Sequence, residues 1–291
     1  MHSSTPTAKA PLAPPPEITS AVFEFLGWAT TSFYVALYHS IKSIQFVNPP
    51  SLLSALEPSN PFKRSVFMIR VSNMEMENKR ILVEGAKTFG IHLDEKIFEA
   101  FDLYLKELVK WNLKINLTAI RTEKGIVLKH FLDSLSIFPY LSNISTLLDI
   151  GSGAGFPGIP LKMVKPFLEM TLIDAVRKKV DFQRHIIRIL GLKGIAAIHG
   201  RVQDREILQT MGEQFDMVTS RGFSDLRTFL ILGFPLLKKG GIVLAMKGEV
   251  SGEEIRLLSK IEENRYRLQK IGFFFLPFSS IKRSIFLFEK K

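Results

Sequence analysis

The chain contains no cysteine among its 291 residues, which removes disulfide scaffolds, thiolate metal sites and cysteine nucleophiles at once. No metal site is expected. Acidic side chains are scarce, 28 against 39 lysines and arginines, so the formal net charge is +11. The uncharged run Phe25 to Tyr38 spans 14 residues, short of the roughly 20 that cross a bilayer. The start lacks the basic residues of a signal peptide, Asn116-Leu117-Thr118 is read as a chance sequon, and no internal repeat is visible. What is present is 46% hydrophobic residues, enough for a large domain with a core and incompatible with a disordered chain.

Residues 1 to 67 hold four basic and three acidic side chains, so nearly all of the positive balance lies in 68 to 291. That excess points to a polyanionic partner, although an anionic membrane surface or a plain solvated face carries the same signature. Pro6, Pro11, Pro14, Pro15 and Pro16 keep the first 20 residues out of helices and ladders. Ala21 to Val47 is apolar and aromatic. It is expected to be either a membrane-surface helix or upstream sequence from a misassigned start codon, since Met68, Met74 and Met76 precede the first patterned helix. Pro49, Pro50, Pro58 and Pro61 form a linker. The expected division is an N-terminal extension over 1–67, a helical segment over 76–145 and a cofactor-binding domain over 146–291.

From Asp94, a candidate N-cap, the residues Ile97, Phe98, Phe101, Leu105, Leu108 and Trp111 recur on one helical face. Val127 to Tyr140 reads as a second amphipathic helix. Strands then alternate with helices: strands at Thr146–Ile150, Glu169–Asp174, Ile195–His199, Phe215–Ser220 and Gly241–Met246, helices over Gly158–Lys165, Arg177–Leu190, Asp225–Leu237 and Glu253–Tyr266, and a closing antiparallel pair at Phe273–Leu276 and Ser284–Phe288. This alternation predicts the α/β class: a doubly wound, mostly parallel, seven-stranded sheet with two preceding helices.

The chemistry concentrates at Asp149-Ile150-Gly151-Ser152-Gly153-Ala154-Gly155-Phe156-Pro157-Gly158, a glycine-rich turn between a strand and a helix. Glycines permit close approach of a nucleotide-like ligand. The dinucleotide fingerprint needs a glycine where Phe156 stands, so the turn departs from the phosphate-cradling form. Asp149 is a poor neighbour for a pyrophosphate and a good one for a cofactor bearing sulfonium and ammonium groups. Asp174 ends the second strand at the spacing of a ribose-gripping carboxylate; its bland alternative is a helix cap before Arg177-Lys178-Lys179.

These residues, together with Asn116-Leu117-Thr118, Lys129-His130-Phe131-Leu132-Asp133-Ser134, Gly200-Arg201-Val202 and Ser220-Arg221, resemble the successive motifs of the bacterial small-subunit ribosomal RNA guanine-N7 methyltransferases, the RsmG or GidB family. The resemblance covers roughly Met76 to Lys291, with all five blocks in order. It implies a Rossmann-like fold, S-adenosylmethionine as cofactor, and methyl transfer to N7 of a guanine in 16S ribosomal RNA. It also implies a cytoplasmic monomer acting on that RNA or on the small ribosomal subunit, with no stable protein partner. Carried over by position, Gly151, Phe156, Val202, Gln203 and Arg221 touch the cofactor, alongside Asp149, Gly153 and Asp174; Asn116, His130 and Arg221 face the substrate. Gln203 departs from the acidic residue usual there, and Gly222 from an alanine.

Guanine N7 carries a lone pair and no proton, so no catalytic base is assigned and orientation is the main lever expected. Arg221 with Lys114, Arg121, Lys124 and Lys129, and the helix bearing Arg177, Lys178, Lys179, Arg184 and Arg188, are the candidate phosphate contacts. The bland reading of His130 and Asp133 is a helix pair at i and i+3. The rival functions are a methyltransferase of another RNA, protein or small molecule, a nicotinamide-dependent oxidoreductase, which Phe156 disfavours, and a membrane-associated binding protein.

Overall fold

A computed structural model describes residues 74–223, 225–252 and 266–291. The extension over 1–67 lies outside the described residues, as does all but the last residue of the helix expected over Glu253–Tyr266; Tyr266 itself begins a strand.

Helix α1 (Met76–Thr88) has no counterpart in the sequence reading; its buried side is Ile81, Leu82, Gly85 and Ala86. Gly85 allows close packing, because a Cβ there would lie 2.6 Å from Leu132 Cδ1. Helix α2 (Glu95–Asn112) begins as expected, with the Asp94 carboxylate accepting from the Ile97 amide at 2.7 Å. Phe98, Phe101, Leu105 and Leu108 face inward, and so does Tyr104. Helix α3 covers 123–135, with an α-turn at Glu123–Ile126, a π-helical stretch at Val127–Leu132 and an α-turn at Asp133–Leu135. A separate 3-10 turn, Phe138–Tyr140, follows. The single helix predicted over 127–140 is therefore interrupted. The hydrophobic period does not reveal a π-stretch, because one extra residue per turn hardly disturbs the pattern over six residues.

The strands are β1 (Thr146–Ile150), β2 (Glu169–Asp174), β3 (Ile195–His199), β4 (Phe215–Arg221), β5 (Leu237–Lys247), β6 (Tyr266–Phe275) and β7 (Lys282–Lys290). Between them lie α4 (Gly158–Val164), α5 (Arg177–Ile189), α6 (Arg205–Met211) and α7 (Leu226–Gly233). The sheet order is β3-β2-β1-β4-β5-β7-β6. The first five strands pair in parallel, and β7 runs antiparallel to both β5 and β6. This is the predicted seven-stranded α/β sheet with its closing pair.

Both faces of the sheet are covered. On one, Leu172 and Ala197 pack with Phe101, Phe131, Ile159 and Phe182 from α2, α3, α4 and α5. On the other, Leu148, Val218, Val243 and Phe286 pack against Phe229 and Leu230 of α7. Strand order reverses between β1, which leads outward to β2 and β3, and β4, which leads to β5. In open α/β sheets that reversal leaves a crevice at the carboxyl ends of the strands, the usual place for a ligand. Among the described residues no helix is long and apolar enough to cross a membrane.

Candidate active site

The crevice is built on the turn after β1. Gly151, Gly153 and Gly155 have φ angles of 69°, 60° and 98°, left-handed values that glycine adopts without strain. A Cβ at Gly151 would meet nothing within 4 Å, so the turn borders open space there. The loop is pinned from behind. The Gly151 and Ser152 amides donate to the Ile173 carbonyl at 2.8 and 3.1 Å. The Asp174 carboxylate accepts from the amides of Gly153 and Val176, each at 2.8 Å. The Gln183 amide group donates to Ser152 Oγ at 2.8 Å and to the Gly153 carbonyl at 2.7 Å. Backbone N–H and C=O of Gly153 are thus both held by side chains.

Asp149 is fully buried beneath the turn. Its Oδ2 accepts from the Gly158 amide at 3.0 Å, while Oδ1 has no hydrogen-bond partner. Burial lifts its pKa to about 7, with Asp174 adding to the rise and the Gly158 amide and Arg221 opposing it. A buried carboxyl with an unused oxygen beside an open glycine turn repels a phosphate and suits a cationic group, so the donor set fits a sulfonium-ammonium cofactor.

Phe156 leaves the turn into an aromatic cluster. His130 stacks on it at 4.5 Å between centroids and Tyr104 at 5.3 Å. Arg221, at the end of β4, places its guanidinium 5.1 Å from the Phe156 ring centroid. Tyr104 Oη donates to the Ala154 carbonyl at 2.5 Å, and burial raises its pKa well above the ordinary phenol value. His130 is neutral: burial, reinforced by the Arg221 charge, lowers its pKa to about 3. Its Nε2 lies 2.8 Å from Thr118 Oγ1, and Nδ1 has no partner.

The Arg221 side chain is about 21% exposed; its Nη1 donates to the Lys129 carbonyl at 2.8 Å. Asp133 lies 3.6 Å from the same nitrogen and is gripped by Arg283 through two hydrogen bonds of 2.7 and 3.2 Å. His130 and Asp133 are therefore not partners of each other, as their i, i+3 spacing suggested. The π-stretch changes the face each presents, and each takes a distant partner.

Asp149, Gly151, Gly153, Phe156, Asp174, His130 and Arg221 thus gather at the carboxyl ends of β1, β2 and β4. Asp174 is not the N-cap of α5, a place held by Val176, but it does tie the entry to that helix. Val202 is buried in the core with Val218 and Leu226, whereas the adjacent Gln203 is exposed. Asn116 is exposed in the loop that carries Thr118. Lys114, Arg121, Lys124 and Lys129 are exposed as expected of phosphate contacts, while Arg221 points inward at Phe156. Tyr104, Gln183 and Arg283 were not singled out by the sequence. Only the buried helical face of α2 gave a local signal for one of them, and Gln183 and Arg283 act across 30 and 150 residues.

Gly158, the first residue of α4, is packed so that a Cβ would lie 2.2 Å from Leu172 Cδ2 and 3.1 Å from Asp149 Oδ2. Gly158→Ala is expected to lower stability by about 1–3 kcal/mol through overpacking, read as a lower midpoint in urea unfolding. An unchanged midpoint would show that the turn yields freely.

A family profile described as "GidB: rRNA small subunit methyltransferase G" matches residues 97–276. The Ribosomal RNA small subunit methyltransferase G of Geotalea uraniireducens (strain Rf4) is 43% identical over 213 residues, 73% of this chain and 96% of that protein. The protein of that name from Geobacter sp. (strain M21) is 46% identical over 177 residues, 61% of this chain and 81% of its own length. That from Acetivibrio thermocellus is 37% identical over 217 residues, 74% of this chain and 90% of its own.

Proposed function

The chain belongs to the rRNA small subunit methyltransferase G family, and from that membership we propose that it transfers a methyl group from S-adenosylmethionine to N7 of a guanine in 16S ribosomal RNA. The observation that carries the cofactor side of this reading is Asp149, fully buried, with one oxygen unused beneath an open glycine turn at the switch point.

S-adenosylmethionine supplies a methyl group already activated by a positively charged sulfur. The residues hold and orient it. Asp149 offers a carboxylate to the cationic end; Gly151 and Gly153 leave room for backbone approach; Asp174, with one lone pair of each oxygen spent on an amide, keeps a second for ribose hydroxyls. Gln203, exposed beside buried Val202, is the adenine-edge contact.

On the substrate side, the incoming guanine needs no proton removed before N7 attacks. His130 is neutral and its Nδ1 is unused, so it adds no like charge where positive charge passes to the ring. Arg221, partly exposed, borders the space where an unstacked base is aligned, backed by neutral His130 and by Phe156, whose two faces are taken by His130 and Tyr104. Asn116, on the exposed loop, contacts the substrate from outside. The protein acts in the cytoplasm, as a monomer, on the small subunit or its RNA.

Deletion tests this in cells. Small-subunit RNA from cells lacking the protein is expected to lose one 7-methylguanosine, regained on expression of residues 68–291 and not of the Arg221→Ala form. An unchanged nucleoside profile would overturn the substrate assignment.

A further inference from the structure

A basic groove runs along the β3 edge of the sheet, away from the crevice. It is a shallow cavity of about 390 Å³ between α5, the turn after it and β3, and its basic lining residues are Arg184, Arg188 and Lys193, with no acidic residue among those that line it. All three side chains are exposed. Two are held in place before any ligand arrives. Arg184 Nε donates to the Ala197 carbonyl on the outer edge of β3 at 3.0 Å. Arg188 Nη2 lies 3.3 Å from His185 Nδ1, and His185 Nε2 lies 2.7 Å from Glu107 Oε2. With Nε2 donating to the carboxylate, Nδ1 is an acceptor for Arg188. A merely solvated basic face consists of mobile side chains; here the guanidiniums have already lost much of that freedom, which lowers the cost of engaging an anion.

The groove is also placed to serve the site. Helix α5 starts three residues after Asp174 and its 13 residues carry the chain about 20 Å from the crevice. Arg177 at its first turn shares a face with Arg184 and Arg188, seven and eleven positions on. The stripe therefore leads from the cofactor end of the sheet down its edge.

We infer that this groove seats the phosphate backbone of the RNA flanking the modified nucleotide. The inference rests on the proposed RNA methyltransferase function. It assigns positioning, not base reading, to the three side chains. Arg184 and Arg188 each offer guanidinium N–H donors suited to paired phosphate oxygens, and Lys193 adds a point charge at the far end.

The test compares two charge-matched triple variants of the full chain. In one, Arg184→Glu, Arg188→Glu and Lys193→Glu reverse the groove; in the other, Lys96→Glu, Lys239→Glu and Lys291→Glu reverse exposed lysines outside it. Small subunits from cells lacking the protein are bound over a range of KCl concentrations by co-sedimentation. The groove variant is expected to bind at least about tenfold more weakly and to lose about two to three units from the slope of log Kd against log[KCl], at roughly 0.7–0.9 per phosphate. Its affinity for S-adenosylmethionine, measured separately, is expected to match the unmodified protein. Equal weakening and equal slopes in the two variants would overturn the inference. So would competition by polyglutamate as effective as by polyuridylate, which would mark an acidic protein as the occupant. Failure of the unmodified protein to methylate RNA would sink the proposed function, while the binding comparison would still report on the groove.

Discussion

Arg221→Ala is expected to lower kcat/KM for methyl transfer by about a thousandfold or more, roughly 4 kcal/mol of transition-state stabilisation. The size follows from what the one side chain does. Its guanidinium lies over Phe156, donates to the Lys129 carbonyl that precedes His130, and is the charge that opposes the upward shift of Asp149. Alanine removes the wall of the base pocket and loosens its attachment to α3. It also leaves Asp149 more readily protonated at neutral pH, so the cofactor side is weakened in the same stroke. Asp133 retains Arg283 as a bidentate partner, so no buried acid is stranded and the variant is expected to fold. Arg221→Lys keeps the charge and loses the planar group, and is expected to recover part of the cofactor affinity but little of kcat. Wild-type kinetics in the alanine variant, with an unchanged melting curve, would remove Arg221 from the site.

Asp149→Asn is expected to weaken S-adenosylmethionine binding by about a hundredfold or more, within the 2–5 kcal/mol that follows truncation of a buried charge partner. Asparagine still accepts from the Gly158 amide, so the loss isolates the charge. In the unmodified protein the carboxyl has a pKa of about 7 in the folded state. Binding a cation then requires release of a proton below that pH, and affinity is expected to rise about tenfold per pH unit between pH 5 and 7, then level off. His130, held near 3, does not titrate across that window.

The same shift has a stability consequence of the opposite sense. A carboxyl raised from 3.8 to about 7 on folding contributes stability that is fully present below pH 3.8 and lost as pH rises through 7. The difference amounts to about 4 kcal/mol at most. Without cofactor at pH 8, Asp149→Asn is therefore expected to be more stable than the unmodified protein while binding cofactor worse. Titration calorimetry in buffers of different ionisation enthalpy reads the proton release; a flat affinity across pH 5 to 7 would contradict the burial of an ionisable Asp149.

Much of this site is legible in the sequence because it is local. Gly151, Gly153 and Gly155 announce left-handed φ angles within five residues of one another. Asp94 announces a helix start that depends on an amide three residues away. Alternating strands and helices announce a mostly parallel sheet, but not the strand order that places the switch point between β1 and β4. What is not legible is set by tertiary packing. The π-stretch at Val127–Leu132 redirects His130 to Thr118 and Asp133 to Arg283, and nothing in the i, i+3 spacing foretells either partner. Tyr104 sits on an ordinary apolar helical face, yet its hydroxyl reaches the glycine turn fifty residues on. Gln183 reads as one more polar helix residue, although its side chain is fully buried and fixes Gly153. The helix at Met76–Thr88 escaped because only four or five of its 13 residues turn inward, too few to stand out.

The most direct measurement is transfer of a labelled methyl group from S-adenosylmethionine, by the purified chain, to small ribosomal subunits from cells lacking it, with the modified nucleoside identified by mass. Label recovered as 7-methylguanosine in 16S RNA is the expected result. Label in ribosomal protein, in another nucleoside or in no RNA at all, from a preparation that still binds the cofactor, would contradict the account of the reaction while leaving the fold intact.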